Sequence, residues 1–380
     1  MAERRHSLVL TGGGARCAYQ AGALLGIAEI TGARTLPFPI LAGTSGGSIN
    51  AAFLASRADD FQGAARGLCD LWTTIRASDV FRTDVSALTK TGVGWLSDLA
   101  LGGFIGSGHA QSLLDTAPLR AFLARHLDTE RLARGVARGD VRALAVTATD
   151  YHTGTAVTFF DGDASLVGWT RTNRLAVRAR VTVDHIMASS AIPVFFPPVV
   201  LDGAFFADGC IRMGTPFSPA IRLGADRVLA IGIVRRSHTP DPFDLRHGEA
   251  PLAPPTHADV AGTLLGALFL DALEADFERL ERINRTLALI APTLRDAQAL
   301  RRVPATMLLP REDIGALAAR TEKDLPLMLR HLLEGLGVGT ESGAALLSYL
   351  AFDAPYTTRL VDAGYEDARA AEDTIRAFFA

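Results

Sequence analysis

A serine between glycines is the residue of this sequence with the clearest catalytic potential. The run Gly43-Thr44-Ser45-Gly46-Gly47 follows the short apolar segment 38–42 and precedes segment 48–55, which has small residues at helical spacing. A G-x-S-x-G sequence between a strand and a helix is typical of a nucleophile elbow, where a strained turn exposes the serine hydroxyl at a helix N-terminus. A glycine-rich turn that only connects two elements is the alternative interpretation of the pentapeptide by itself.

A second glycine cluster offers a partner for that serine. Gly12-Gly13-Gly14 follows the apolar run 7–11, and successive glycines after a strand direct several backbone N–H groups toward one point. Such a nest serves either as an oxyanion hole or as the start of a dinucleotide-binding fingerprint. The fingerprint requires a third glycine where Cys17 stands, and it leaves Ser45 without a role. We therefore favour an oxyanion hole that serves Ser45.

A nucleophilic serine needs a base that removes its proton, and the histidines of this chain are poor candidates. We interpret the following as surface residues, because none of them ends a predicted strand: His126, His185, His238, His247, His257 and His331. Segment 199–210 instead predicts a β-hairpin that turns at Asp202-Gly203 and ends at Asp208. Its apolar residues Phe205 and Phe206 would raise the pKa of Asp208 and make it a stronger base. A turn aspartate is the alternative interpretation of Asp208.

Taken together, these motifs resemble those of the patatin-like phospholipase family. The matching blocks, in the family's order and spacing, are Gly12-Gly13-Gly14-Ala15-Arg16, Gly43-Thr44-Ser45-Gly46-Gly47, the segment 188–199 and Asp208-Gly209. The match extends over residues 7–234. The resemblance implies a Ser–Asp dyad with Ser45 as nucleophile and Asp208 as proton acceptor, without a catalytic histidine, a metal or a cofactor.

The resemblance also implies supporting roles. The oxyanion would be held by Gly12, Gly13 and Gly14, and the supporting residues would be Arg16, Gly43, Gly47 and Gly209. Arg16 fills a basic position of the family's glycine motif, where it either orients the loop or contacts a lipid phosphate, and we favour the first role. The chain departs from the family at Cys210, which replaces the small third residue of Asp-Gly-Gly or Asp-Gly-Ala and places an oxidisable thiol near the dyad.

The activity implied by the resemblance is that of a serine-dependent carboxylic ester hydrolase. Such an enzyme would cleave lipid acyl esters through an acyl-enzyme, as a phospholipase A or a lysophospholipase does. Two alternatives keep the same family: an acyltransferase that uses the same acyl-enzyme, and a lipid-binding protein without catalysis. A nucleotide-binding oxidoreductase is the alternative from another class.

The elements that must position these residues alternate between strands and helices. The predicted strands are Ser7–Thr11, Phe38–Ala42, Val141–Ala148, Ala156–Phe160, Val199–Phe206, Arg227–Val234 and Ala305–Leu309. Several are continuously apolar, as in a parallel sheet that is buried on both faces. Thr153-Gly154 predicts a hairpin, so part of the sheet is antiparallel. The alternation predicts an α/β fold, and the resemblance implies a three-layer α/β/α architecture of the patatin-like (FabD/lysophospholipase-like) type with a mostly parallel central sheet.

We expect a patatin-like catalytic domain over residues 1–310, with its motif-bearing core at 7–234, and a helical C-terminal extension over 311–380 packed on the same domain. Between 75 and 112 the periodicity is lost. The apolar, glycine-rich part of this stretch, 93–105, is interpreted as a cap over the site, as an amphipathic patch that contacts lipid, or as an ordinary buried helix and loop.

The composition of the chain restricts the class of protein to which it can belong. The chain has 380 residues, 48% hydrophobic and 21% charged, which is typical of a globular protein with a large core. Its net charge of −3 gives no general attraction to nucleic acid. We see neither a signal peptide nor a membrane-spanning stretch. Cys17, Cys69 and Cys210 are too far apart for a disulfide framework or a zinc site. We expect a cytoplasmic protein with a lipid acyl ester as substrate and no nucleic acid partner. Peripheral membrane contact through 93–105 follows only from the second of the three interpretations of that segment.

Overall fold

The computed structural model describes residues 5–82, 112–234, 260, 263, 266–267, 272–297, 300–318 and 348–380. Ten strands in these residues form one sheet. They are β1 (His6–Leu10), β2 (Ile40–Thr44), β3 (Ala143–Asp150), β4 (Thr155–Gly162), β5 (Trp169–Arg171), β6 (Arg174–Arg178), β7 (Val199–Leu201), β8 (Ala204–Asp208), β9 (Arg227–Ile231) and β10 (Ala305–Leu308). All the predicted strands are confirmed, and the segment 199–206 forms the predicted hairpin of β7 and β8.

The sheet is mostly parallel in its centre. Its order is β10-β9-β1-β2-β3-β4-β6-β5, with β8 paired to β3 and β7 paired to β8. The pairs from β10 to β3 are all parallel. The β3–β4 hairpin is antiparallel, as predicted from Thr153-Gly154. Because the carboxyl ends of β1 and β2 reach the same edge of the sheet, the two glycine clusters that follow them lie side by side.

The described helices are α1 (Ala18–Thr31), α2 (Gly46–Ala55), α3 (Phe61–Thr74), α4 (Ala77–Val80), α5 (Ala117–His126), α6 (Thr129–Arg138), α7 (Val183–Ser189), α8 (Phe217–Arg222), α9 (Ala272–Ala288), α10 (Pro292–Ala297), α11 (Ile314–Ala318), α12 (Ala354–Ala370) and α13 (Glu372–Phe379). They cover both faces of the sheet. Neighbouring strand residues such as Leu8 and Val9 point into different cores. The first core contains α1, α2, α3 and α12, and the second contains α8 and α9. The three-layer α/β/α architecture is therefore confirmed.

The C-terminal helix α12 packs closely on α1, the helix that follows the first glycine cluster. A Cβ atom at Gly22 would lie 1.8 Å from the carbonyl oxygen of Val361, and one at Gly364 would lie 2.0 Å from that of Tyr19. Glycine lets the two helix backbones approach this closely. The Tyr19 hydroxyl adds a hydrogen bond of 3.0 Å to Asp367 Oδ2.

Some sequence-based expectations fall outside the described residues. These are the role of segment 93–105, including its membrane contact, and the interpretation of His238, His247, His257 and His331. The division of the chain at residue 310 stays a prediction. Each helix within the described ranges is too short or too polar to cross a lipid bilayer.

Candidate active site

Two strands bring the predicted serine and aspartate together along one edge of β3. From one end, β2 pairs with β3 up to Thr44, which faces Thr147. From the other end, β8 runs antiparallel to β3 and stops at Asp208, which faces Ala148. The opposite edge of β3 is occupied by β4 along its whole length. The ends of β2 and β8 therefore meet at consecutive residues of β3, and Ser45 follows directly on Thr44.

The backbone of Ser45 is strained, as expected for a nucleophile elbow. Its φ of 53° and ψ of −133° lie outside the regions that non-glycine residues ordinarily occupy. The residue is only 1% exposed and directly precedes α2. Its amide donates a hydrogen bond of 2.9 Å to Ser189 Oγ, and the Ser189 hydroxyl donates one of 2.6 Å to the carbonyl oxygen of Thr147. The end of α7 thus holds the turn against β3.

The predicted supporting glycines leave no room for a side chain. A Cβ atom at Gly43 would lie 2.5 Å from the carbonyl oxygen of Gly47, and one at Gly47 would lie 2.3 Å from that of Leu10. At Gly209 the corresponding distance, to the carbonyl oxygen of Thr147, is 2.1 Å. These contacts explain why both motifs require glycine, because the chain turns between backbone atoms of neighbouring strands.

Asp208 is fully buried at the end of β8. Its Oδ1 accepts a hydrogen bond of 2.9 Å from the Cys210 amide, and its carbonyl oxygen accepts one of 2.9 Å from Thr149 Oγ1. Its own amide donates to the carbonyl oxygen of Ala191 at 2.8 Å. Among the described residues, Asp208 Oδ2 has no hydrogen-bond partner of ordinary geometry. One carboxylate oxygen is therefore held by the turn, and the other is left for a further partner.

Burial raises the pKa of Asp208 to about 6. Hydrogen bonding from the Ser45 hydroxyl and from the amide and thiol of Cys210 opposes this increase and lowers the pKa in part. The Ser45 hydroxyl is thus near enough to influence the carboxylate, although Oδ2 lacks a fully formed hydrogen bond. A loose contact of this kind is common between a nucleophile and its base outside the substrate complex.

The two phenylalanines expected near Asp208 differ in exposure. Phe206 is buried, whereas Phe205 is 37% exposed. Consecutive residues of a strand point to opposite faces, so Phe205 lies on the outer face of the hairpin, opposite Val200. Of the two phenylalanines, Phe206 is therefore the one on the face of the strand that Asp208 shares, and the contribution of Phe205 stays a prediction.

The first glycine cluster lies beside both residues. A Cβ atom at Gly12 would lie 2.5 Å from Ser45 Cβ and 2.5 Å from Cys210 Sγ. One at Gly13 would lie 1.8 Å from Ile233 Cδ1, and Gly14 has a positive φ of 56°. The loop therefore passes over the nucleophile at a distance that only glycine permits, with its backbone next to the serine side chain.

Cys210 carries a thiol that is kept protonated. Burial and the charge of Asp208 raise its pKa well above the usual value of a cysteine. Because the thiolate is the reactive form, this environment makes the thiol less oxidisable than its position beside the dyad suggested.

Arg16 contacts the C-terminal part of the chain. Its side chain is 4% exposed, and its Nε donates a hydrogen bond of 2.7 Å to Ser348 Oγ. The guanidinium lies 4.6 Å from the centre of the Tyr349 ring. These contacts favour a role in holding the loop over contact with a lipid phosphate.

The two described histidines among the rejected bases have structural contacts. His126 packs on the Phe122 ring with centroids 4.4 Å apart. His185 Nδ1 accepts a hydrogen bond of 3.2 Å from the Thr182 amide at the start of α7, and burial lowers its pKa. The described residues contain no cluster of histidine, cysteine, aspartate or glutamate side chains that could hold a metal ion.

A narrow apolar cleft opens beside Ser45. Its lining consists of Gly14, Ser45, Gly46, Ile49, Leu71, Trp72, Ile75, Val80, Leu119, Phe122, Leu123, Ser190, Ile192, Phe196 and Phe352. Such a lining suits an aliphatic chain and offers few polar groups to a charged ligand.

Two side chains without a predicted role hold the backbone of Ser45 and Asp208. Ser189 binds the amide of Ser45, and Thr149 binds the carbonyl oxygen of Asp208. Ser189 belongs to the third matched block, 188–199, and that block is the signal by which it could have been found. Thr149 lies in an ordinary strand pattern that gives no such signal.

Comparisons with known proteins agree with this architecture. A family model described as patatin-like phospholipase matches residues 8–221, more than half of the chain. No curated protein sequence matches.

The solved structures that resemble this chain are distant in sequence. VipD from Legionella pneumophila is 11% identical over 95% of this chain and 67% of its own, with a TM-score of 0.34. Two structures of human GIVD cytosolic phospholipase A2 in complex with methyl gamma-linolenyl fluorophosphonate are 12% and 15% identical, with TM-scores of 0.43 and 0.41. Each alignment covers 99% of this chain, but only 59% and 60% of the human chains. No functional conclusion follows from similarities this low.

Proposed function

Because the chain belongs to the patatin-like phospholipase family, we propose that it is a lipid acyl hydrolase that works through a Ser45–Asp208 dyad and an acyl-enzyme. The observation that carries the proposal is the meeting of β2 and β8 at consecutive residues of β3. This meeting brings a strained serine and a buried carboxylate with one unoccupied oxygen to the same point.

In the acylation step, Ser45 Oγ attacks the ester carbonyl carbon while Asp208 accepts the hydroxyl proton. The negative charge that develops on the carbonyl oxygen is stabilised by backbone N–H groups of Gly12, Gly13 and Gly14, each worth about 3–4 kcal/mol in comparable sites. When the tetrahedral intermediate collapses, the C–O bond to the alcohol breaks, and Asp208 returns the proton to the leaving oxygen.

In the deacylation step, water replaces the alcohol. Asp208 accepts a proton from the water molecule as its oxygen attacks the acyl carbon, and the fatty acid leaves as the proton returns to Ser45 Oγ. A carboxylate with a pKa of about 6 supports both steps, because it is mostly ionised at neutral pH and more basic than an exposed aspartate.

The apolar cleft beside Ser45 supports a fatty acyl group as the part of the substrate that is bound. Binding of the acyl chain would orient the ester carbonyl between Ser45 and residues 12–16, which we call the glycine loop. Lipid acyl esters are therefore the proposed substrate class.

Ser45→Ala tests the proposal. The variant is expected to hydrolyse a p-nitrophenyl acyl ester at least about a thousandfold more slowly and to lose labelling by a fluorophosphonate probe, because the nucleophile is absent. Ser56→Ala is the matched control, since Ser56 is also buried and lies at the other end of α2. Labelling of Ser45→Ala at the wild-type rate would refute the assignment.

The same assay distinguishes the alternatives. Acyl transfer to an added alcohol in place of fatty acid release would identify an acyltransferase, which shares the acyl-enzyme. Lipid binding by wild-type protein that neither turns over esters nor reacts with the probe would identify a non-catalytic lipid-binding protein.

A further inference from the structure

A buried network of polar side chains joins α2, the helix that Ser45 precedes, to the glycine loop. Trp72, Asn50 and Gln20 are all buried, in α3, α2 and α1 respectively. Trp72 Nε1 donates to Asn50 Oδ1 at 2.7 Å, and Asn50 Nδ2 donates to Gln20 Oε1 at 2.9 Å. Asn50 Nδ2 also donates to the carbonyl oxygen of Cys17 at 3.0 Å. Gln20 Nε2 donates to the carbonyl oxygens of Thr11 at 2.9 Å and Ile231 at 3.1 Å.

The indole of Trp72 sets the direction of the hydrogen bonds in this network. An indole N–H only donates, so Asn50 must present its oxygen to Trp72 and its amide nitrogen to Cys17 and Gln20. Gln20 must then present its oxygen to Asn50 and its nitrogen to two carbonyl oxygens. Both amide groups are fully satisfied, which is the condition under which a buried polar network specifies one arrangement.

The carbonyl groups at the end of the network flank the glycine loop. Thr11 immediately precedes Gly12, and Cys17 ends the short 3₁₀ turn Gly14–Cys17. Asn50 itself lies in α2, the helix that Ser45 precedes. One side chain therefore connects the helix of the serine to the far end of the loop, and through Gln20 to its near end.

We infer that Asn50 is a positioning residue that, through Cys17 and Gln20, fixes the glycine loop relative to Ser45. This inference rests on the proposed function, in which amides of that loop stabilise the transition state. Misplacing such donors by about 1 Å costs up to about a hundredfold in rate, whereas binding of the acyl chain does not depend on them. Loss of the network therefore lowers kcat and leaves KM nearly unchanged.

Trp72 links the network to the apolar cleft. Its ring lines the cleft beside Ser45, and its N–H orients Asn50. The two roles are separable, because Trp72→Phe keeps an aromatic wall and removes the only N–H donor of the side chain.

Asn50→Asp provides the main test. A carboxylate accepts from Trp72 but cannot donate to Cys17 or Gln20, so the loop loses its support without a change in side-chain size. We expect kcat on a p-nitrophenyl acyl ester to fall by about tenfold to a hundredfold with KM within about twofold of wild type. The rate constant for fluorophosphonate labelling should fall in parallel, while labelling still proceeds to completion. Trp72→Phe should show a smaller fall in kcat.

Two variants serve as matched controls. Asn284 is another buried asparagine, bonded at 2.8 Å and 2.9 Å to the carbonyl oxygen and amide of Val303, so Asn284→Asp reproduces the buried substitution away from the loop. Trp169→Phe makes the same indole-to-phenyl change at a half-buried position in the edge strand β5. Both should keep the wild-type kcat even where thermal stability falls.

The outcomes are distinct. Wild-type kcat in both Asn50→Asp and Trp72→Phe, or an equal fall in Asn284→Asp, overturns the inference while the proposed function stands. If Asn50→Asp does not fold, the test is the comparison of kcat between Trp72→Phe and Trp169→Phe. A wild-type protein without hydrolysis or labelling overturns the proposed function, and the inference falls with it.

Discussion

At Asp208, two opposing effects set the proton affinity of the carboxylate. Burial disfavours the charged form and raises the pKa, whereas the nearby Ser45 hydroxyl and the Cys210 amide favour the charged form and lower it. Burial dominates, and the resulting pKa of about 6 suits a general base that works near neutral pH. An exposed aspartate, with a pKa of about 3.9, would be a much weaker base.

The pH dependence of kcat/KM is expected to report this value. The base must be ionised to accept a proton, so kcat/KM should fall about tenfold per pH unit below pH about 6. The folded pKa lies above that of an unfolded aspartate, so protonation of Asp208 favours the fold and does not itself unfold the protein. Far-UV circular dichroism at each pH should therefore stay constant through this limb. An acidic limb near pH 4 would contradict the assignment.

At the scale of elements, the sequence patterns predicted the strands that are buried on both faces. The apolar runs of β1, β2, β3 and β9 stand out because both sides of each strand contact helices. The edge strand β5 and its neighbour β6 were not predicted. They carry Arg171, Arg174 and Arg178, and their apolar run is only three residues long (175–177), since much of their surface faces water.

The residues of the candidate site also differ in how far the sequence predicts them. Ser45 and Asp208 are recognisable because their local turns require glycine and appear as motifs. Ser189 acts on residues distant in sequence, through the amide of Ser45 and the carbonyl oxygen of Thr147. The matched block 188–199 marks the segment that contains Ser189. What its hydroxyl binds is visible only in the structure, because both partners belong to other elements.

Ser189→Ala tests how elements share the support of the elbow. Its removal leaves the buried Ser45 amide without its acceptor, which should cost about 1–3 kcal/mol of unfolding free energy. The turn also loses its anchor to α7, so we expect kcat to fall about tenfold. Chemical denaturation and ester hydrolysis measure the two effects.

Ser7→Ala is the matched control for Ser189→Ala. Ser7 is also fully buried, and its hydroxyl donates to the carbonyl oxygen of Arg227 on the neighbouring strand at 3.1 Å, near the amino end of β1. We expect Ser7→Ala to lower the free energy of unfolding and to leave kcat unchanged. Equal kcat values in both variants would show that Ser189 contributes to folding alone.

At the scale of the whole molecule, the C-terminal helices contact the layer that carries the site. The helix α12 packs on α1, and Arg16 in the glycine loop binds Ser348. The glycine loop is thus supported from the C-terminal part of the chain as well as from β1. We therefore expect α12 and the motif-bearing core to unfold together.

Gly364→Ala tests this expectation. The added Cβ would lie 2.0 Å from the carbonyl oxygen of Tyr19, so α12 must move away from α1, at a cost of about 1–3 kcal/mol. Circular dichroism and esterase activity should lose their signals at the same, lower denaturant concentration. Gly67→Ala in α3 is the control, because its Cβ would meet Phe53 at an ordinary 3.4 Å and alanine favours the helix. If α12 were an independent extension, Gly364→Ala would melt a part of the helical signal early while esterase activity kept its wild-type midpoint.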